Sequence, residues 1–309
     1  NLIYFGPGVH NLPNDTLFVP SGTTVYIDGG ARVYGNIFTE GAHDVNIFGR
    51  GEVHPDGRGA GVWVRRSKNV RIDGIVVSQL PIGQCDSVEL TNVKSISYYG
   101  WGDGMDVFSS SNVILDGVFC RNSDDCAAVY ASTQGFKGGS NNVLVKNATL
   151  WADVAHPINI GGHGDPNGMD TVQNVTFRNI DILDQAEKQI DYQGCLAINP
   201  GDNTLVRNIT FENIRIEDFR NGQLVNFRIS FNPKYCVSTG RGIQNVLVKD
   251  VTYNGSGENL SIIAGYDENH KISGIRFVNL VVNGRKITDD MPGKPKWYKT
   301  GDMAGIFVG

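Results

Sequence analysis

One phrase recurs along the chain and limits what it can fold into. An Asn or Gly is followed by aliphatic residues at alternate positions, then often by Asn, Asp or Gly, then by a second apolar run. It reads Asn69-Val70-Arg71-Ile72-Asp73-Gly74-Ile75, Asn92-Val93-Lys94-Ser95-Ile96, Asn112-Val113-Ile114-Leu115-Asp116-Gly117-Val118 and Asn142-Val143-Leu144-Val145-Lys146-Asn147. Further copies begin at Asn174, Asn208, Asn245 and Gly274, so that successive starts lie 23, 20, 30, 32, 34, 37 and 29 residues apart. A minimal unit of about twenty residues with variable insertions fits one turn of a β-solenoid, in which each coil stacks only on its neighbours. The period-2 alternation marks strands with one buried face. Gly, Asn and Asp at the segment ends mark corners that need a positive φ.

A leucine-rich repeat has a similar period, but its leucine signature and its helix are absent, and a propeller blade of about 40–45 residues is too long. A sandwich would not explain the return of the same phrase. The expected fold is therefore all-β, a single-stranded right-handed parallel β-helix, read as one domain over residues 1–309. Asparagines at equal phase in successive coils should form a hydrogen-bonded ladder with no chemistry attached. The same phrase generates Asn-x-Thr matches at Asn147, Asn174 and Asn208, which makes those sequons poor grounds for glycosylation.

Composition narrows the partners. The 309 residues carry 27 Lys and Arg against 32 Asp and Glu, a formal net charge of −5, and 40% of them are apolar. That apolar share excludes wholesale disorder, and the mild acidity argues against nucleic acid or an anionic membrane as partner. No apolar run approaches the length of a membrane-spanning helix. Asn1-Leu2-Ile3-Tyr4-Phe5 reads as a strand already under way, so sequence upstream of it is expected to be missing. The five cysteines, Cys85, Cys120, Cys126, Cys195 and Cys236, are spread through apolar segments without a CxxC pair. They read as small buried thiols rather than a disulfide frame or a zinc site.

In a solenoid, residues of equal phase in adjacent coils sit above one another at the inter-strand spacing of about 4.8 Å. Asp103 lies eleven residues after Asn92, Asp124 and Asp125 twelve and thirteen after Asn112, and His156 fourteen after Asn142. Three consecutive coils thus bring a carboxylate, a carboxylate pair and an imidazole close to one line. Adjacent carboxylates on a strand point to opposite faces unless a bend redirects one, so one of Asp124 and Asp125 could be a corner residue. Stacked acids repel, which raises the pKa of at least one and keeps it protonated near neutrality. A protonated acid beside an ionised one is the equipment for cleaving a glycosidic bond. Asp106 reads as a turn residue. Trp101 and Tyr130 flank the acids and Trp151 precedes the histidine, and aromatic faces beside carboxylates suit the C–H faces of sugars.

These motifs resemble those of the clan of β-helical glycoside hydrolases that contains polygalacturonases, dextranases and isopullulanases, over about Gly49 to Ile198. The polygalacturonase pattern is Asn-Thr-Asp-Gly, then Asp-Asp about twenty residues on, then Gly-His-Gly before a strand. Gly102-Asp103-Gly104 matches the first at its Asp-Gly, and Ser123-Asp124-Asp125-Cys126 matches the second. For the third, Gly162-His163-Gly164 matches the letters. Ala155-His156-Pro157-Ile158-Asn159-Ile160-Gly161 better matches the position and is preferred, which leaves His163 at the groove rim. The openings Tyr4-Phe5-Gly6-Pro7-Gly8-Val9-His10 and Thr24-Val25-Tyr26-Ile27-Asp28-Gly29-Gly30-Ala31 also look like the start of bacterial members. One departure stands out. The family's Arg-Ile-Lys, which holds the carboxylate of galacturonic acid, is replaced by Cys195-Leu196-Ala197-Ile198-Asn199, and Arg228-Ile229-Ser230 a coil later recovers only the arginine.

The resemblance implies an inverting glycoside hydrolase. Asp124 would protonate the leaving oxygen, Asp103 and Asp125 would hold and deprotonate water, and His156 would tune the acid. Trp101, Tyr130, His163, Asn199 and Arg228 would contact a poly- or oligosaccharide. No metal or other cofactor is expected, and the family points to a secreted or periplasmic location. Because a buried uronate without a cation is costly, the missing Arg-Ile-Lys favours a neutral α-linked glycan over a pectic uronide. The alternatives are a polygalacturonase-type pectin hydrolase, a polysaccharide lyase holding calcium on its aspartates, and a non-catalytic glycan-binding solenoid. The longer insertions after Asn142 are expected to wall the groove.

Overall fold

The asparagine phrase has a backbone reason. In the computed structural model of the chain, left-handed residues occur in pairs five positions apart: Asn69 and Gly74, Asn112 and Gly117, Asn142 and Asn147, Asn174 and Asn179, Asn208 and Asn213, Asn245 and Asp250, and Gly274 and Asn279. The first of each pair kinks the chain into a strand and the second turns it through a corner within one residue. Asn and Gly are the residues that take this conformation at least cost. Asn92 departs from the expected phase. It is the second member of its pair, and Ser87, with a φ of 59°, is the first.

The structure describes all residues except Ile190, Asp191, Glu258, 293–297, Asp302 and Gly309, and only the backbone of 298–301 and 303–308. Among the described residues none is helical. Each coil contributes to three parallel sheets, which makes the fold a right-handed parallel β-helix. The first sheet contains the strands Asp86–Thr91 and Ser111–Asp116, the second Lys94–Ile96 and Phe119–Asn122, and the third Met105–Phe108 and Ala127–Tyr130. In later coils the first two sheets are served by one continuous strand, such as Ser140–Ala152 or Thr171–Asp184, bent at its second left-handed asparagine.

Inward side chains stack in register down the axis. Val70, Val88, Val113, Val143, Val175, Ile209, Val246 and Ile275 follow one another from coil to coil, each at most 1% exposed. β-branched residues fit such a half-buried pleat. Outside, the expected amide ladders run along both kinks. Asn142 Nδ2 donates to Asn112 Oδ1 at 2.7 Å and Asn208 to Asn174 at 3.1 Å; Asn179 donates to Asn147 at 2.7 Å and Asn213 to Asn179 at 3.3 Å. All five cysteines are free, four of them buried and Cys236 half-buried.

The two tight kinks fix the first sheet and its corner with the second. Variation in coil length therefore falls on the connections that enter and leave the third sheet. The segments 98–102, 131–139, 161–170, 185–189, 192–194 and 229–241 are all such connections, and each sends residues to the groove over that sheet.

Candidate active site

Strand register brings the acidic residues together on the third sheet. Met105 is paired with Ala127 and Ala127 with Ile158, so two residues upstream of each lie Asp103, Asp125 and His156 in successive coils. Asp124 stands beside Asp125 where the chain bends ahead of its strand, and both line the groove above the sheet. The loop carrying Asp103 is held from beneath. Asn122, fully buried, donates through Nδ2 to Ser95 Oγ and Ser97 Oγ at 3.0 Å each and to Asp103 O at 3.2 Å. A side chain at Gly102 or Gly104 would collide with Ser123 or with the Cys126 carbonyl, which accounts for the glycines flanking Asp103.

Asp125 is buried and saturated with donors. The His156 ring Nδ1 lies at 2.8 Å from Oδ1 and its backbone N–H donates to the same oxygen at 3.1 Å; Tyr130 Oη donates to Oδ2 at 2.6 Å and Asn159 Nδ2 at 2.8 Å. Burial alone would raise this carboxyl, but the His156 charge and these hydrogen bonds outweigh it and hold Asp125 at about 2. His156 Nε2 faces the Tyr192 carbonyl at 2.7 Å. Both ring nitrogens thus face acceptors, so the imidazole is doubly protonated. Its pKa is raised, the loss from burial being overcome by Asp125.

The other acids move the opposite way. Burial, then the charges of Asp125 and Asp103, push Asp124 up to about 8. Burial and Asp125 push Asp103 up to about 6. Asp106 rises well above the ordinary carboxyl range through burial and through Asp103, with which its carboxyl shares a hydrogen bond. At neutral pH the cluster therefore holds an ionised Asp125 beside a protonated Asp124.

The groove has a volume of about 950 Å³. Trp101, 66% exposed, and Tyr130, 5% exposed, both line it, and Tyr130 packs edge-on against His163 at 5.0 Å. His163 lines both the groove and a small adjoining cavity, and burial lowers its pKa. Asn199 belongs to the small cavity and donates to Asn226 Oδ1 and the Arg228 carbonyl. The Arg228 side chain is not among the groove-lining groups, and Trp151 lies on the second sheet under the Arg121 guanidinium, away from the acids. Asp106, read from sequence as a turn residue, is inside the strand Met105–Phe108 and lines the groove. Its position between the inward Met105 and Val107 was the signal for an outward face.

No cation stands in the strand Leu196–Ile198, and the lysines that line the groove come from the insertions. Lys188 and Lys234, both exposed, line the groove, and Tyr192 stacks on Tyr235 at 5.2 Å beside Lys234. Nothing in strand phase could have located these residues. Among the described residues no group of three His, Cys, Asp or Glu side chains is placed to hold a metal ion, and no helix is long and apolar enough to cross a membrane.

A solenoid with a split-pKa acid cluster in an insertion-walled groove defines a class of carbohydrate-processing β-helix. The chain belongs to the glycosyl hydrolases family 28, whose model matches residues 62–291. It is 26% identical over 216 residues to a polygalacturonase of Juniperus ashei, covering 67% of this chain and 39% of that protein. Among solved structures it resembles the family 28 exopolygalacturonase of Yersinia enterocolitica, with a TM-score of 0.73 at 12% identity over 99% of this chain and 72% of that one. Dex49A of Penicillium minioluteum shares the fold with a TM-score of 0.67 at 14% identity, over 99% and 60% of the two chains.

Proposed function

We propose that the chain hydrolyses an α-linked pectic uronide of the polygalacturonan type, with inversion at the anomeric carbon. The observation that carries the hydrolytic reading is the opposed pair Asp124 and Asp125 lining one groove, adjacent carboxyls held on opposite sides of neutrality. Asp124 gives its proton to the leaving glycosidic oxygen as the bond to the anomeric carbon breaks. Asp103 and Asp125 hold a water, whose oxygen bonds to that carbon while its proton passes to a carboxylate. Asp106 orients Asp103 by donating to it. His156 keeps Asp125 ionised rather than touching the sugar, since the side chain is fully buried.

The uronide replaces the neutral glycan expected from the missing Arg-Ile-Lys. Lys188 and Lys234, the latter resting 4.8 Å from the Tyr235 ring centroid, bring ammonium groups to the groove wall for a carboxylate, so the desolvation argument against a uronate loses its premise. The polygalacturonases among the relatives support this choice, and a polymeric substrate of that kind argues for an enzyme that works outside the cytoplasm.

Proton NMR of polygalacturonate and of neutral α-glucans incubated with wild type and Asp124→Asn tests the proposal. Release of an inverted reducing end from the uronide alone, with kcat lowered about 10²–10⁴-fold in the variant, is the expected result. An unsaturated product, or cleavage confined to neutral glycans, would sink it.

A further inference from the structure

The outer face of the third sheet carries a row of side chains that leads into the groove from the N-terminal coils. Register pairs Phe18 with Phe38 and Phe38 with Trp63; Pro81 follows in the next coil, then Asp106 in the acid cluster. Phe18 and Phe38 stack with centroids 5.4 Å apart and planes 23° from parallel. The Arg65 guanidinium lies 4.4 Å from the Phe38 centroid and 5.8 Å from that of Trp63. Trp63 and Pro81 already belong to the groove. The row is therefore continuous with the site.

The same row is treated differently on the two sides of the acids. Towards the C-terminal coils it continues as Ala128, Asn159, Ala197 and Asn226, none more than 2% exposed. Towards the N-terminal coils it opens: Phe38 and Trp63 are half-buried and Phe18 is 60% exposed. Large apolar side chains left in line on an exposed sheet face mark a binding surface. Here each occupies one coil, a step of about 4.8 Å, of the same order as one pyranose ring.

We infer that Phe18, Phe38 and Trp63 form a glycan-binding track that carries sugar units of the same polysaccharide on the N-terminal side of the scissile bond. The inference rests on the proposed hydrolysis of a uronide. Aromatic rings meet the C–H faces of the sugars, and Arg65, paired with Glu40 at 2.6 Å, faces their carboxylates. Phe18 and Phe38 lie outside residues 62–291 matched by the family model.

The test compares kcat/KM on long polygalacturonate with that on trigalacturonate for wild type and Phe18→Ala/Phe38→Ala. Retardation of both proteins in polygalacturonate gels is measured alongside. The polymer-to-trimer ratio should fall about tenfold in the double variant, through KM, with weaker retardation. Phe48→Ala, in the separate aromatic row on the first sheet with Tyr26, should leave the ratio at its wild-type value. A wild-type ratio and wild-type retardation in a double variant that still melts cooperatively would overturn the track and leave the hydrolase standing. Failure of wild type to cleave or bind polygalacturonate at any length would overturn both. A wild-type dimer that dissociates in the double variant by light scattering would assign the row to contact between copies and overturn the track.

Discussion

At the scale of single residues, the cluster works by making four neighbouring carboxyls unequal. Asp103 must be ionised and Asp124 protonated for the proposed reaction. The two are held at about 6 and about 8, so activity should fall as pH drops through about 6 and again as it rises through about 8. A pH profile of kcat/KM checks this, and a rate that keeps climbing past pH 9 would remove Asp124 as the acid. Asp106 gives a stability test. Its folded pKa lies above the unfolded value of 3.8, so the stability it contributes is complete below that value and is lost as pH rises towards the folded pKa. Asp106→Asn keeps a donor for Asp103 and removes the ionisation. It should melt roughly 2–8 °C above wild type at pH 8, the gain vanishing near pH 4, by calorimetry. The alignment of Asp103, Asp124, Asp125 and His156 was legible because each lies eleven to fourteen residues after a repeat asparagine. Asp106 was misread because it follows the Gly102-Asp103-Gly104 segment by two residues and looks like part of that turn until its strand is known.

At the scale of the element, the unit of stability is the five-residue segment between two left-handed residues. Its second member turns the corner and hands a hydrogen bond to the coil below. Asn179, with a φ of 56° and an amide donating to Asn147, represents it. Asn179→Ala should cost about 1–3 kcal/mol through the left-handed strain and the lost bond. Asn179→Gly, which relieves the strain, should cost less. Urea denaturation of the two variants decides, and equal midpoints would show that the conformation is not what the asparagine is there for. This segment is why the fold could be read from sequence, since a backbone demand repeated in every coil leaves a repeated residue. The slip at Asn92 arose because the two members of a pair look alike when the first is serine. The insertions obey no such demand, so their presence could be read from the uneven spacing but not that Lys188, Tyr192 and Lys234 would line the groove.

At the scale of the whole molecule, each coil is held only by the two beside it. The strand Leu2–Phe5 pairs with Thr24–Ile27 alone, whereas Ala127–Tyr130 is paired on both sides. Hydrogen exchange in the 309-residue chain should therefore be graded along the axis, fastest in the first coil and slowest around the acid cluster. Uniform protection from Leu2 to Tyr130 would contradict a nearest-neighbour solenoid.

The confinement of long connections to the borders of the third sheet separates two kinds of inheritance in one chain. The amide ladders and their tight kinks sit on the far flank and tolerate little change, while the segments that line the groove hang from connections whose lengths are free to drift. Lysines can enter or leave the groove wall, and its reach can lengthen or shorten, without a single coil losing its place. Such a scaffold can exchange one polymer for another by editing its fringes, keeping the spine and the acid cluster in place.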